Sequence, residues 1–316
     1  MPSRRILKQA FAGAACAAAV AAAAAALALS AAPARASAPG PLAAGAASAA
    51  PSPDSVLAGR RGFRGRAGDW VHVRQVVAWL RYKKPPRHVV YLLGGSASRE
   101  SITDEAGWSR SLTGRLGARA AGFVLSSSCQ TFVEDALVVS ALPRDRGTAL
   151  ITVGLSRFNM EHPSETLPMS AVRTTPPRPW WEHHYDGRSP LLLATKQELV
   201  QTWRTDHLGG FTDRYPDRLA ELETLIQTCI ARGIRPVLIE MPRDAAAVQD
   251  GLDDVLATYH QGCTDLAAKY GISYLDFVGK LDLPSDDFYD LWHLLPAGRA
   301  RWQGRLTREL VYKELL

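Results

Sequence analysis

His88-Val89-Val90-Tyr91-Leu92-Leu93-Gly94-Gly95-Ser96 is the stretch that decides how this chain folds. Its apolar side chains fall on nearly consecutive positions rather than alternate ones, the pattern of a strand buried on both faces. Two glycines at the strand's end allow a sharp turn and the close approach of a ligand, and they leave Ser96 at the exposed edge with its backbone N–H free. Four further runs of the same kind lie at residues 122–125, 149–153, 236–239 and 272–277. Amphipathic segments separate them. Thr131 and Glu134 form a capping box ahead of Val133, Leu137, Val138 and Leu142, and Pro143 ends that segment. Leu219, Leu222, Ile226, Cys229 and Ile230 share one helical face, with Gly233 as the stop. Trp302, Leu306 and Leu310 recur every four residues on a final helix. Strand and helix in alternation specify an α/β fold with a mainly parallel sheet covered on both sides. Right-handed crossovers then gather the C-terminal ends of the strands on one edge, where open α/β sheets carry their sites.

Outward from this body the chain changes character. Arg4, Arg5 and Lys8 precede an alanine-rich apolar run, and Ala34-Arg35-Ala36 supplies small residues at the positions a signal peptidase reads. Residues 1–36 are therefore expected to be a secretory signal peptide, with an uncleaved membrane anchor as the other reading. Ser3-Arg4-Arg5 loosely resembles a twin-arginine export signal. Residues 37–67, rich in Ala, Pro, Ser and Gly, read as a flexible linker, and 68–316 as the folded domain. Between 157 and 190 the rhythm breaks: six prolines, Trp180-Trp181 and His183-His184-Tyr185 suggest a lid-like or substrate-binding insertion.

The formal net charge of +6 resides mostly in the leader, and the remainder carries 33 basic and 31 acidic residues. That balance offers no electrostatic case for nucleic acid. Local basic clusters survive between residues 60 and 66 and between 81 and 87. The first reads as a solvated linker or as a contact to an anionic wall polymer or lipid surface of the cell envelope. Outside the leader stand Cys129, Cys229 and Cys263, an odd number that excludes a full disulfide framework. Cys229 and Cys263 read either as a pair or as two buried thiols. No metal-type Cys/His spacing occurs.

The glycine-serine turn alone admits several chemistries. A phosphate-binding loop needs a lysine before its Ser/Thr, and a dinucleotide fingerprint needs a third glycine opening the helix; neither is present. A nucleophilic serine needs a base from elsewhere, and Asp290-Leu291-Trp292-His293, ahead of Pro296 and the last helix, supplies one. Three residues apart in a turn, a carboxylate reaches the Nδ1–H of the imidazole, fixes its tautomer and leaves Nε2 outward to take a serine proton. Ser98 and Ser101 read as helix caps, His183 and His184 as ordinary polar residues of the insertion, and Trp292 as a wall of the site or as core.

With Gly94-Gly95-Ser96 after the first strand and Asp290-x-x-His293 before the last helix, the chain resembles the GDSL/SGNH hydrolase superfamily over about residues 88–310. That resemblance implies a flavodoxin-like three-layer sandwich, a Ser96-His293-Asp290 triad and no metal or organic cofactor. It also implies an oxyanion hole from the N–H groups of Ser96 and of a residue in the second block, here Leu125-Ser126-Ser127-Ser128-Cys129-Gln130-Thr131. Cys129 stands where the family usually has glycine. In the third block, Val153-Gly154-Leu155-Ser156-Arg157, Ser156 replaces the usual asparagine and Asn159 follows three residues later. Trp180, Trp181 and Trp292 are the candidate substrate-binding residues. Ile239-Glu240-Met241-Pro242 resembles relatives that transfer acyl groups onto extracellular polymers, and reads equally as a buried Met before a turn proline. An α/β-hydrolase elbow would need Gly at position 98, which is Ser. The implied function is an exported enzyme that cleaves or transfers an ester-linked acyl group on a glycan, wall polymer or lipid. The reading from another class is a non-catalytic exported glycan-binding protein on the same fold.

Overall fold

The computed structural model describes residues 62–63, 67–83, 85–160, 167–168, 183–278 and 280–316. The expected leader, and all of the expected linker except Gly62–Phe63 and Ala67, lie outside the described residues, as do Trp180 and Trp181.

Five strands form one parallel sheet: β1 His88–Gly94, β2 Ala120–Ser126, β3 Thr148–Val153, β4 Arg235–Glu240 and β5 Ser273–Asp276. Their spatial order is β2-β1-β3-β4-β5. Each expected apolar run is one of these strands, extended or trimmed by one to three residues. The register aligns Val90 with Gly122 and with Thr148 on either side of β1. The α/β class with a central parallel sheet is the architecture the apolar runs required.

Alternate residues of each strand enter different cores, which explains why the strands are apolar throughout. Val89, Tyr91, Leu93, Ile151 and Leu238 join the larger core. It is completed by helices α1 (Ala67–Tyr82), α4 (Phe132–Ala141), α6 (Leu193–Asp206), α7 (Leu208–Ala231) and α9 (Asp253–Tyr270). Val90, Leu92, Leu150, Val237 and Ile239 join the second core, roofed by α3 (Glu105–Leu116) and α10 (Pro296–Tyr312). The shorter helices α2 (Ser96–Arg99), α5 (Leu155–Asn159) and α8 (Ala245–Val248) follow β1, β3 and β4 at the sheet's C-terminal edge. Gly62–Phe63 pairs separately with Leu167–Pro168.

Local chemistry sets the element ends. The Thr131–Glu134 capping box is formed at the start of α4, which stops at Ala141, two residues before Pro143. Pro296 occupies the first turn of α10, where its missing N–H costs nothing. Trp302, Leu306 and Leu310 are fully buried, whereas Ile230, expected on the inner face of α7, is 47% exposed. At 3.6 residues per turn, Ile230 has rotated past the apolar stripe that ends at Cys229. Cys229 and Cys263 are both free and buried, on α7 and α9, so of the two readings the buried thiols apply. Burial pushes both thiols well above the usual range.

Candidate active site

The strand order reverses between β1 and β3, and ligands of open α/β sheets bind outside the strand ends at such a point. Gly94 ends β1 at φ +154°, and a Cβ there would stand 1.9 Å from Thr152 Oγ1 and 2.2 Å from Ser98 Oγ. Only glycine lets the chain turn this close to β3. Ser98 is buried and shares a 2.6 Å hydrogen bond with Thr152, whose hydroxyl in turn donates to Leu93 O at 2.9 Å. Ser101 donates to Ser98 O, and the cap of α3 is Asp104. The capping expected of Ser98 and Ser101 is therefore replaced by a lock on the glycine turn. Ser96 opens α2, half-buried, so its N–H has no acceptor within that helix.

The second component arrives from the other end of the chain. After β5, residues 287–295 fold back on themselves: Leu295 N donates to Asp287 O at 2.8 Å, Tyr289 N donates to His293 O at 2.8 Å, and Phe288 bridges Leu294. This clip holds Asp290 and His293 in one tight turn. Asp290 Oδ1 accepts the N–H groups of Trp292 (3.0 Å) and His293 (2.9 Å), and Oδ2 lies 2.7 Å from His293 Nδ1. His293 Nε2 stands 2.9 Å from Ser96 Oγ. The structure thus brings the three expected residues into one hydrogen-bonded chain across 197 positions of sequence.

The electrostatics match that geometry. Burial by itself would push Asp290 up, but the His293 charge, the ring N–H and two backbone N–H groups outweigh it and hold the carboxyl below its ordinary value. Burial would likewise lower His293. The Asp290 charge and hydrogen bond, together with the Glu100 charge, outweigh it and raise the imidazole above its ordinary 6.5.

The expected oxyanion residues divide. The β2–α4 loop passes beside the glycine turn, with Ser127 N donating to Gly94 O at 3.3 Å. Cys129 in that loop is half-buried and takes φ +60°, a left-handed conformation that glycine adopts freely and other residues only at a cost. Arg157 braces the same loop, donating to Gln130 O and Asp135 and lying 4.4 Å from the Phe132 ring centre. Ser156 is exposed at the start of α5. Asn159 turns to α7, where its Oδ1 accepts from Arg214 at 3.0 Å, so its amide oxygen is engaged in helix packing.

Trp292 packs half-buried against the larger core. The aromatic neighbours of the imidazole are Tyr185, from the insertion, and Tyr289, which the sequence did not single out. The Tyr185 ring lies 4.8 Å from the His293 ring and stacks at 4.4 Å on Tyr289. The exposed Arg188 guanidinium sits 5.5 and 5.6 Å from those two tyrosine rings. His183 and His184, expected to be ordinary polar residues, dock instead on the acidic cluster behind Ser96. His183 Nδ1 is 3.4 Å from Glu100 Oε2, and His184 N donates to Glu100 Oε1 at 3.0 Å. The position of an aromatic beside an imidazole a hundred residues away leaves no periodic trace; only the His-His-Tyr cluster marked the segment. Among the described residues, no group of three or more His, Cys, Asp or Glu is placed to hold a metal ion.

The α/β sheet thus carries a hydrogen-bonded chain of Ser96, His293 and Asp290 at its switch point. Neither a family model nor a curated protein sequence matches the chain. Among solved structures it is similar to a GDSL-like lipase from Bacteroides thetaiotaomicron, with 11% identity over 78% of this chain and 99% of the other, TM-score 0.41. It is also similar to an acetylxylan esterase from Geobacillus stearothermophilus, with 12% identity over 70% and 93%, TM-score 0.44. A carbohydrate acetylesterase from Sinorhizobium meliloti shows 10% identity over 72% and 99%, TM-score 0.40.

Proposed function

We propose that this chain is a serine ester hydrolase of the SGNH type, acting by double displacement. The observation that carries the reading is the continuous relay from Asp290 through His293 to Ser96, with contacts of 2.7 and 2.9 Å. Ser96 Oγ attacks an ester carbonyl while His293 Nε2 takes its proton; Asp290 holds the ring and stabilises the imidazolium without itself being protonated. The tetrahedral oxyanion is held by the N–H groups of Ser96 and Cys129. It collapses by expelling the alcohol, which receives the proton from His293 and leaves an acyl group on Ser96. Water, or a sugar hydroxyl, then gives up a proton to His293, attacks the acyl carbonyl and releases the free enzyme. Water makes the protein an esterase and a sugar hydroxyl makes it an O-acyltransferase.

Tyr185, half-buried beside His293 and backed by the buried Tyr289, is the ring a sugar or acyl chain would meet, which suits an acylated glycan, wall polymer or lipid. The basic leader and its small-x-small end support export by residues 1–36, so the substrate would be met outside the cytoplasm. A half-buried hydroxyl already engaged by a buried imidazole favours the enzyme over the non-catalytic glycan-binding reading. Release of p-nitrophenol from p-nitrophenyl acetate tests the proposal: turnover by the wild type, abolished in Ser96→Ala, supports it. Acceleration that requires an added glycan acceptor would assign transfer. A folded wild type with no turnover under either condition would count against an enzyme.

A further inference from the structure

Glu100 lies four residues past Ser96 and is fully buried. Three segments distant in sequence meet on it. From the nucleophile turn, its own N–H donates to Ser96 O at 3.0 Å, and Arg99 forms an ion pair with its carboxylate. From the insertion come the His184 N–H and, at 3.4 Å, His183 Nδ1. From α10, the helix that begins three residues after His293, Arg299 donates through Nε to Glu100 O at 2.8 Å and brings Nη2 within 3.6 Å of the carboxylate. The same guanidinium bonds Leu294 O, next to His293, and Asp186 of the insertion.

Charge balance alone does not require a carboxylate here. Arg99 already pairs with Asp69 at 2.6 Å, and Arg299 with Asp186 at 2.9 Å. A buried ionised group is expensive, and an apolar side chain would fill the space at less cost. What the Glu100 carboxylate joins is the nucleophile turn, through Arg99, the insertion that delivers Tyr185, through the His184 N–H and His183, and the helix behind His293, through Arg299.

Resting on the serine hydrolase reading, we propose that Glu100 is a positioning residue that sets Ser96 against His293 and seats Tyr185 on the His293 ring. Asp290 from its own turn, Ser96 from the nucleophile side and Tyr185 from the insertion touch that imidazole, and Glu100 and Arg99 reach it by charge. Glu100 adds negative charge to that set and Arg99 opposes it, so neutralising Glu100 lowers the imidazole's affinity for its proton.

The test uses the full chain carrying Glu100→Gln, with His183→Ala as a companion that cuts only the insertion's arm. NMR titration of the His293 ring, assigned by its loss in His293→Gln, is read beside kcat and KM for p-nitrophenyl acetate. In Glu100→Gln the titration midpoint moves to lower pH and kcat falls roughly tenfold or more with KM little changed, because placement is altered and not substrate contact. His183→Ala lowers kcat in the same direction while leaving the midpoint near that of the wild type. Variants that fold with wild-type circular dichroism, an unmoved midpoint and unchanged kcat would overturn the role, as would a rise in KM alone. If Glu100→Gln does not fold, unchanged kcat in His183→Ala overturns it. A wild type that never turns over removes the hydrolase reading, and the Glu100→Gln midpoint then decides the placement of Glu100 by itself.

Discussion

His293 carries the most direct consequence at the residue scale. Under the proposed mechanism it must be neutral to accept the Ser96 proton; burial would lower it, but Asp290 and Glu100 outweigh burial and raise it above its ordinary 6.5. The rate of Ser96 acylation should therefore climb with pH along a limb centred above 6.5, not at or below it. Asp290→Asn should move that limb to lower pH. It should also reduce kcat by about 10³ to 10⁴-fold, since the amide no longer enforces the productive tautomer. A pH–rate profile of kcat/KM for both proteins checks the sign. Cys129 makes a second expectation. If its contribution is a backbone N–H, Cys129→Gly relieves a left-handed strain of about 1–2 kcal/mol and keeps activity within a few-fold. Loss of turnover in a folded Cys129→Gly would show that the side chain matters. Much of this was legible in the sequence. Gly94-Gly95-Ser96 and Asp290-x-x-His293 are local motifs whose chemistry is contained in their spacing. Asn159 follows Ser156 by three residues on a short helix, and its Oδ1 faces Arg214 of α7, a partner fifty-five positions away that spacing does not announce.

Among elements, the turn bearing Asp290 and His293 depends on a node that no periodicity announces. Lys196 of α6 is 0% exposed and donates to Asp244 (2.9 Å), to Ser285 O (2.7 Å) and Oγ (3.1 Å), and to Phe288 O (2.9 Å). Asp244 N in turn donates to Leu291 O, inside the turn itself. Lys196→Met leaves Asp244 buried without its cation and should cost about 3–5 kcal/mol of stability, read as a lowered denaturation midpoint in urea. Activity should fall further than unfolding accounts for, because the turn loses its anchor at Phe288 O. By contrast, Leu306→Ala on α10 removes only buried hydrocarbon and should cost about 2–5 kcal/mol with kcat unchanged in the folded fraction. Apolar runs and capping signals marked the strands and the helices α4, α7 and α10 before any coordinates, because those elements are specified by short-range pattern. Lys196, Glu100 and the Asp69–Arg99 pair were invisible for the complementary reason: their partners lie tens to two hundred residues away, and an isolated charged residue in sequence reads as surface.

For the whole molecule, the relay couples stability to pH in opposite senses at its two ends. Asp290, lowered from 3.8, contributes stability that is present above that value and is lost as pH falls through its folded pKa. His293, raised from 6.5, contributes stability that is complete below 6.5 and is lost as pH rises through its folded pKa. The Tm deficit of Asp290→Asn should accordingly be largest in the window where both wild-type groups are charged, and should shrink on either side. A deficit flat with pH would mean that the pair does not interact as described. The architecture also explains why sequence sufficed for the fold and only partly for the site. A parallel sheet fixes all strand ends on one edge, so two motifs at opposite ends of the chain were bound to meet there. The lining from residues 183–188 depends on where an irregular segment docks. The claim on which all else depends is that Ser96 is an activated nucleophile, and covalent labelling with a fluorophosphonate probe, mapped by peptide mass spectrometry, tests it most directly. One adduct on Ser96, slowed by orders of magnitude in a His293→Gln variant that remains folded, is the expected result. Folded wild-type protein that stays unlabelled, or is labelled at another residue with Ser96 intact, would contradict it.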